Sequence, residues 1–335
     1  MLSSGLLAQL TIVTPIKSGA FSSVFLLSLP SASSPDLSPS SFPFFFDSGS
    51  PLPLPLSSSS SSSSSLLPSY FVAKIINSGA PPLSSRFLQF SKLKEGVILK
   101  HLQGIQGIPK LFWFGKHPQL KKYTIITESL GKDLLEISNQ KGKFPLCEVL
   151  RIGMALIDIL EGVHRRGIIH RDIKPDNLMI GIDGLSVFLV DFGLSQRFPK
   201  KVRKKSPFMG SLKFASIATH QGEPPSPLDD IESLIYVLLF LHLNTTPWAV
   251  KSLLPLISVE QMIGEIGVLK KEFWEKKSDD IPNVYFKLWK TLKNGGEHQE
   301  IRRVLEEGIM DECLVEDEKG SSDMEGRIKL LGMEK

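Results

Sequence analysis

A chain of 335 residues with 39 Lys and Arg against 35 Asp and Glu carries a formal charge of only +4, and 41% of it is hydrophobic. That is enough apolar residue for one large folded domain or two ordinary ones, and the small net charge gives no general argument for a nucleic-acid partner. The only cysteines, Cys147 and Cys313, exclude a disulfide framework and offer no zinc-ligand spacing, so a reducing compartment is expected, cytoplasmic, nuclear or both.

In chain order, Met1 to Leu10 is mildly apolar with no basic residue ahead of it, so no signal peptide is expected. Leu10 to Val13 and Val24 to Leu29 are predicted strands, joined by a loop from Pro15 to Ser23. From Pro30 to Ser69 serine and proline dominate, with unbroken serine from Ser57 to Ser65. Such a segment cannot bury enough apolar surface to offset its ordering entropy, which predicts a disordered insert; a retained intron or a faulty gene model is the alternative origin. Tyr70 to Ile76 is a third predicted strand, and Lys92 to Leu102 a helix stopped by Gly104 and by Gly107-Ile108-Pro109. The apolar stretch Leu234 to Leu243 is about half the ~20 residues a membrane span needs, so it reads as a buried helix and no membrane is expected. Ile281 to Leu292 and Ile301 to Ile309 read as late helices, and residues 311–335 as an acidic flexible tail.

The chemistry is concentrated in His170-Arg171-Asp172-Ile173-Lys174-Pro175-Asp176-Asn177 and, a short way on, Asp191-Phe192-Gly193. Phosphoryl transfer from ATP asks little covalent chemistry of a protein; it asks for a positioned base, neutralised phosphate charge and oxygen ligands for magnesium. Asp172 suits the base, Lys174 the transferring phosphate, and Asn177 and Asp191 the metal. The apolar run Val187 to Val190 reads as a buried strand that delivers Asp191.

This block resembles the catalytic loop of a eukaryotic protein kinase. Gln103-Gly104-Ile105-Gln106-Gly107-Ile108-Pro109, Glu128-Ser129-Leu130-Gly131, and Gly210 to Gly222 followed by Asp229-Asp230-Ile231-Glu232-Ser233-Leu234 narrow the resemblance to the casein kinase I group, with its tau-tubulin and vaccinia-related members. Most kinases close the activation segment with Ala-Pro-Glu; this group has Ser-Ile-Asn, and Ser216-Ile217-Ala218 keeps two of the three.

The resemblance implies an α+β, bilobal protein kinase fold: a small β-rich N-lobe with one main helix over 11–127, interrupted by the insert at 30–69, a hinge at 128–131 and a larger, mostly helical C-lobe over 132–310. It implies ATP and Mg²⁺ as cofactors. Gly19 is the one glycine kept in Lys17-Ser18-Gly19-Ala20-Phe21-Ser22-Ser23-Val24, where kinases carry a glycine-rich loop, so Lys17 and Ser22 stand where close backbone approach to phosphates is usual. Lys74 matches the phosphate-binding strand lysine and Glu95 its helix partner. Ile16, Val24, Val72 and Met179 match the residues around the adenine ring, Glu128 to Leu130 the hinge and Thr127 the gatekeeper; Asp230 matches an aspartate that holds the catalytic loop by its backbone.

The function so implied is serine/threonine phosphorylation of acidic or already phosphorylated proteins, with nucleic acid not expected as a partner. Arg203, in the basic run Arg197 to Lys205, and Gly222 match positions of an anion site, although a second basic position of that family is Leu228 here. A nuclear-import signal and a solvated charged face are the rival readings of the run. A kinase-like scaffold that binds partners without efficient catalysis is the alternative for the whole chain.

Overall fold

The computed structural model describes residues 2, 7, 9–18, 22–28, 70–76, 85–118, 121–198, 205–249, 258–276 and 279–318, the side chains at 17–18, 85–93 and 313–318 excepted. The serine and proline insert at 30–69, Gly19, Arg203 and the end of the expected tail lie outside the described residues. Two compact units emerge, one from Met1–Gly79 and Leu111–Ser129, the other from Ala80–Lys110 and Leu130–Lys319.

The first unit is a five-stranded antiparallel sheet. Its strands are β1 (Thr11–Ser18), β2 (Ser22–Ser28), β3 (Tyr70–Ile76), β4 (Leu111–Lys116) and β5 (Tyr123–Glu128), in the order β1-β2-β3-β5-β4. β1 runs through Pro15, past the expected end at Val13 and into the expected loop. An edge strand tolerates a residue without an N–H, and the register shifts on either side of this stretch, between Ile12 and Thr14 and between Pro15 and Lys17, absorb the irregularity. β3 alternates strictly at first, with Phe71, Ala73 and Ile75 buried and Val72 and Lys74 half-buried on the other face. The buried face forms a core of Leu27, Phe71, Ala73, Phe112 and Ile126, closed by Leu2 and Leu7 from the N-terminus. Phe71 and Phe112 meet edge to face with centroids 5.0 Å apart, and the Leu2 amide donates to the Phe112 carbonyl at 2.9 Å.

The second unit holds α1 (Ser85–Leu102), α2 (Leu134–Lys141), α3 (Leu146–Arg165), the short strands β6 (Ile168–Ile169), β7 (Leu178–Ile180), β8 (Val187–Leu189) and β9 (Gln196–Arg197), then α4 (Ile217–His220), α5 (Pro227–Leu243), α6 (Val259–Glu275), α7 (Asn283–Lys293) and α8 (His298–Glu318). α1 carries Glu95 and begins earlier than expected. It ends at Leu102, before Gly104 at φ 89°, and Arg166 donates to the carbonyl of His101 in its last turn and to that of Gln103 just beyond.

α5 is the centre of this unit, with every residue from Asp229 to Leu241 buried. A helix apolar all round needs partners on every side, and it has them in α3 and α7. Gly153 of α3 allows one close approach: a Cβ there would fall 2.8 Å from a Leu238 methyl. The start of α5 is set by a capping box between Ser226 and Asp229 with Pro227 in the first turn, its end by Asn244 at φ 58°. α8 continues to Glu318, which corrects the expectation of a tail from residue 311: acidic composition weakened the sequence signal, but the helix starts from a face packed on α3 and α7. No helix among the described residues is long and apolar enough to cross a membrane.

Candidate active site

A side chain remote in sequence, backed by a histidine, fixes the path of His170 to Asn177. Asp230, in the first turn of α5, accepts the His170 amide at 2.7 Å and the Arg171 amide at 2.8 Å, while His164 at the end of α3 donates Nε2–H to it at 2.8 Å. Burial works to raise the Asp230 pKa, but His164, by hydrogen bond and charge, with His170 and the Arg171 amide, outweighs it and holds the carboxyl below its ordinary value. The carboxylate therefore keeps its charge. It also holds Arg171 at φ 73°, a left-handed conformation that costs a non-glycine residue about 1–3 kcal/mol.

Asp172, 9% exposed, sits inside a small hydrogen-bonded cluster. Lys174 Nζ lies 3.0 Å from Asp172 Oδ2, and the Asn177 amide donates to the same oxygen at 3.1 Å and to the Asp172 carbonyl at 2.8 Å. Both Asn177 N–H bonds are directed at Asp172, so its Oδ1 is the atom left to serve a cation. Burial works to lower the Lys174 pKa, but Asp172, then Asp176 and Asp191, raise it above the ordinary lysine value.

Asp191 is delivered by the β7–β8 pair, in which Leu178 lies opposite Leu189. The next residue, Val190, donates its amide to the Asn177 carbonyl and accepts His170 Nε2–H, each at 3.0 Å. His170 Nδ1 then accepts the Asp172 amide at 3.3 Å, so one imidazole ties the two loops. Asp191 is itself left-handed at φ 63°. A Cβ on Gly193 would press on Asp191 Oδ1 at 3.1 Å and would lie in ordinary contact, 3.7 Å, with Glu95 Oε2, so the buried Glu95 carboxylate stands beside the same turn. The Asp191 carboxylate and the Asn177 amide oxygen are hard donors from a half-formed set, which fits a magnesium ion that completes its shell with water and phosphate oxygens.

The segment after the basic run is pinned against this cluster. Gly210 has φ 108°, and a Cβ there would fall 2.6 Å from the Arg171 carbonyl, so only glycine brings the chain this close to Asp172. Further on, Ser216 Oγ donates to Asp229 at 2.6 Å and the Ile217 amide to Glu232 at 2.6 Å. The sequence stretches Gly210 to Gly222 and Asp229 to Leu234 are therefore two halves of one anchor. Gly222 accepts the Ser206 amide at 2.7 Å, and Arg197 and Lys205, at the ends of the basic run, are both exposed.

In the first unit Val24 lies opposite Lys74, and Val72 opposite Thr127. Cross-strand partners share a face, so these four residues line the side of the sheet away from Phe71 and Ala73. Ile16, 53% exposed, stands at the irregular part of β1, and Glu128 ends β5. In the second unit Leu130 precedes Gly131, whose amide donates to Ile180, and Met179 bridges to Asp133. Sequence reasoning passed over His164, His298 and Lys270, which act through partners far along the chain and carry no local motif, and gave His220 no role beyond its place in the Gly210 to Gly222 stretch.

Antiparallel-sheet strands with a mostly helical unit, a base candidate held between lysine and asparagine, and a second carboxylate on its own turn define an α+β, bilobal kinase fold. The chain matches the family model described as the protein kinase domain over residues 72–300, more than half its length, and belongs to that family. It is a protein kinase, an ATP-binding transferase. The match begins at Val72, so β1 and β2 lie ahead of it.

Proposed function

We propose that this kinase transfers the γ-phosphoryl group of ATP to serine and threonine residues of acidic or already phosphorylated proteins, with magnesium, in the manner of the casein kinase I group. The observation that carries the reading is the Asp172–Lys174–Asn177 cluster. Asp172 accepts the proton of the incoming hydroxyl, and the Asn177 amide keeps its carboxylate turned to one side. Lys174, kept protonated by its acidic neighbours, neutralises charge on the transferring group. Asn177 and Asp191 would hold Mg²⁺, which when bound supplies positive charge to the phosphates. Lys74 is the proposed phosphate ligand of the first unit, and Val24, Val72, Ile16 and Met179, with Glu128 and Leu130, the proposed surroundings of the adenine. Glu95 is the proposed orienting carboxylate, and Arg203 with Gly222 the proposed anion site for the substrate.

The test is the purified full chain with Mg-ATP and casein, followed by phosphoamino-acid analysis. Asp172→Asn should lower transfer on the order of a hundredfold or more while ATP binding survives. Full transfer by that variant would remove Asp172 from its role. ATP binding without transfer in the unaltered chain would favour the scaffold reading, which Lys17 and Ser22 in the phosphate loop support.

A further inference from the structure

Lys270 of α6 is the fully buried lysine among the described residues of the second unit, with no exposed surface. Its ammonium lies 3.1 Å from the Leu212 carbonyl, 2.5 Å from the Ala215 carbonyl and 3.1 Å from His220 Nε2, above the rings of Tyr236 at 4.7 Å and Trp248 at 5.4 Å. His220 Nδ1 faces the Ile263 carbonyl at 2.8 Å, while Nε2 lies 3.1 Å from both the Leu212 carbonyl and the Lys270 ammonium; in the tautomer that donates Nδ1–H along the shorter contact, Nε2 is the acceptor Lys270 needs and Leu212 is left to Lys270. Three N–H donors thus meet three acceptors. Two of those acceptors belong to the segment that Gly210 presses against Asp172.

We propose that Lys270 is a positioning residue for the protein substrate: its buried ammonium sets the course of residues 210–216 past Asp172 by binding Leu212, Ala215 and His220 together. The proposal rests on the kinase reading of that segment as the substrate-facing one. Nothing on the surface of α6 is required for it. The neighbouring charge is accounted for on every side. From α5, Glu232 is engaged by the Tyr236 hydroxyl at 2.6 Å, the Ile217 amide at 2.6 Å and, from α7, Lys293 at 3.0 Å. From α4, burial and then the Lys270 charge push His220 down to about 4, so it stays neutral. Lys213 is exposed and meets the cluster only through its carbonyl, which accepts Trp248 Nε1 at 2.8 Å, and Lys271 on α6 itself is exposed near Glu275.

Burial pushes Lys270 down to about 7, with Glu232 acting the other way. A neutral amine has two N–H donors for three acceptors, so the hold on residues 212–215 loosens as pH rises through that value. Fold stability moves oppositely. Between about 7 and the ordinary 10.5 the unfolded chain keeps the proton and the folded one does not, so the Lys270 contribution to stability rises with pH. Loosened substrate binding without a fall in melting temperature therefore separates positioning from general stability.

The experiment compares the full chain with Lys270→Met and Lys270→Arg, using casein and Mg-ATP from pH 6 to 9, with amide exchange of residues 212–216 followed in parallel. In the unaltered chain KM for casein should rise above pH 7 while Tm does not fall. Lys270→Met should show a KM for casein raised about tenfold at pH 6.5 and flat with pH, a KM for ATP moved less than twofold, and faster exchange at 212–216; Lys270→Arg should recover part of the effect. Equal KM values and equal pH profiles in Lys270→Met and the unaltered chain would overturn the proposal, as would a KM for casein in the unaltered chain indifferent to pH should the variants fail to fold. An unaltered chain that transfers no phosphate but whose 212–216 amides lose protection above pH 7, measured against the intrinsic exchange rate at each pH, would instead overturn the kinase reading and keep the hold by Lys270.

Discussion

Asp230 concentrates more of the site in one carboxylate than any residue that would touch substrate. Its two oxygens receive the amides of His170 and Arg171 and the His164 imidazole, all in a fully buried position. Replacing it with asparagine keeps the shape but turns one acceptor into a donor facing donors. Leaving buried N–H groups without an acceptor costs about 1–3 kcal/mol each. Asp230→Asn should therefore lower the unfolding free energy by about 2–4 kcal/mol and release Arg171 from its left-handed conformation, reducing transfer more than ATP binding. Urea denaturation measures the first part; an unchanged midpoint would mean that the loop holds its path by other means.

Among elements, the N-terminal segment gains most from the structure. Leu7 is 2% exposed and Leu2 8%, both on the face that Phe71, Ala73 and Ile126 present. A leucine buried to this degree loses about 2–5 kcal/mol when cut to alanine. Leu7→Ala should thus lower stability by that order with no change in the residues around Asp172, and calorimetry that found no loss would show that the segment lies on the sheet without supporting it. The sequence offered only mild apolarity there, since Leu2 and Leu7 fit no strand or helix period of their own. By contrast, the run from Asp172 to Asn177 was legible because phosphoryl transfer needs its base, lysine and amide within one short turn, so chemistry itself imposes adjacency. The same holds for Leu234 to Leu243, whose continuous apolarity has one economical explanation. Where function or packing is shared across distance it leaves no local trace: Lys270 meets its carbonyls more than fifty residues back, and His164 meets His298 at 2.7 Å across most of the second unit's chain. The helix from His298 to Glu318 was read short for a related reason, because an acidic, exposed end carries no periodic apolar stripe.

At the scale of the molecule, two histidines whose pKa values the fold pushes far down set its response to acid. His220 and His298 are both pushed down to about 4, the first by burial and Lys270, the second by burial and the charges of His164 and Arg165. An unfolded histidine titrates near 6.5, so between about 6.5 and 4 the unfolded chain binds protons that the folded chain refuses. Stability must therefore fall as pH drops through that window, and the loss should be largely complete near pH 4. The geometry makes the refusal concrete. His164 Nε2 faces Asp230 at 2.8 Å and its Nδ1 faces His298 Nε2 at 2.7 Å, a contact with room for one proton, so a further proton on His298 sets charge against His164 and Arg165 in a partly buried site. At His220 the added proton lands on Nε2, the atom that receives Lys270, and sets two like charges 3.1 Å apart. Melting temperature measured from pH 7 to pH 4 should decline steadily, and the double change His220→Gln and His298→Gln should flatten that decline while lowering the value at pH 7. A decline equally steep in the double variant would place the acid sensitivity in His117 and His242, whose pKa values burial also lowers, and not in Asp230, whose depressed pKa gives a contribution lost only when the pH falls below the ordinary carboxylate value.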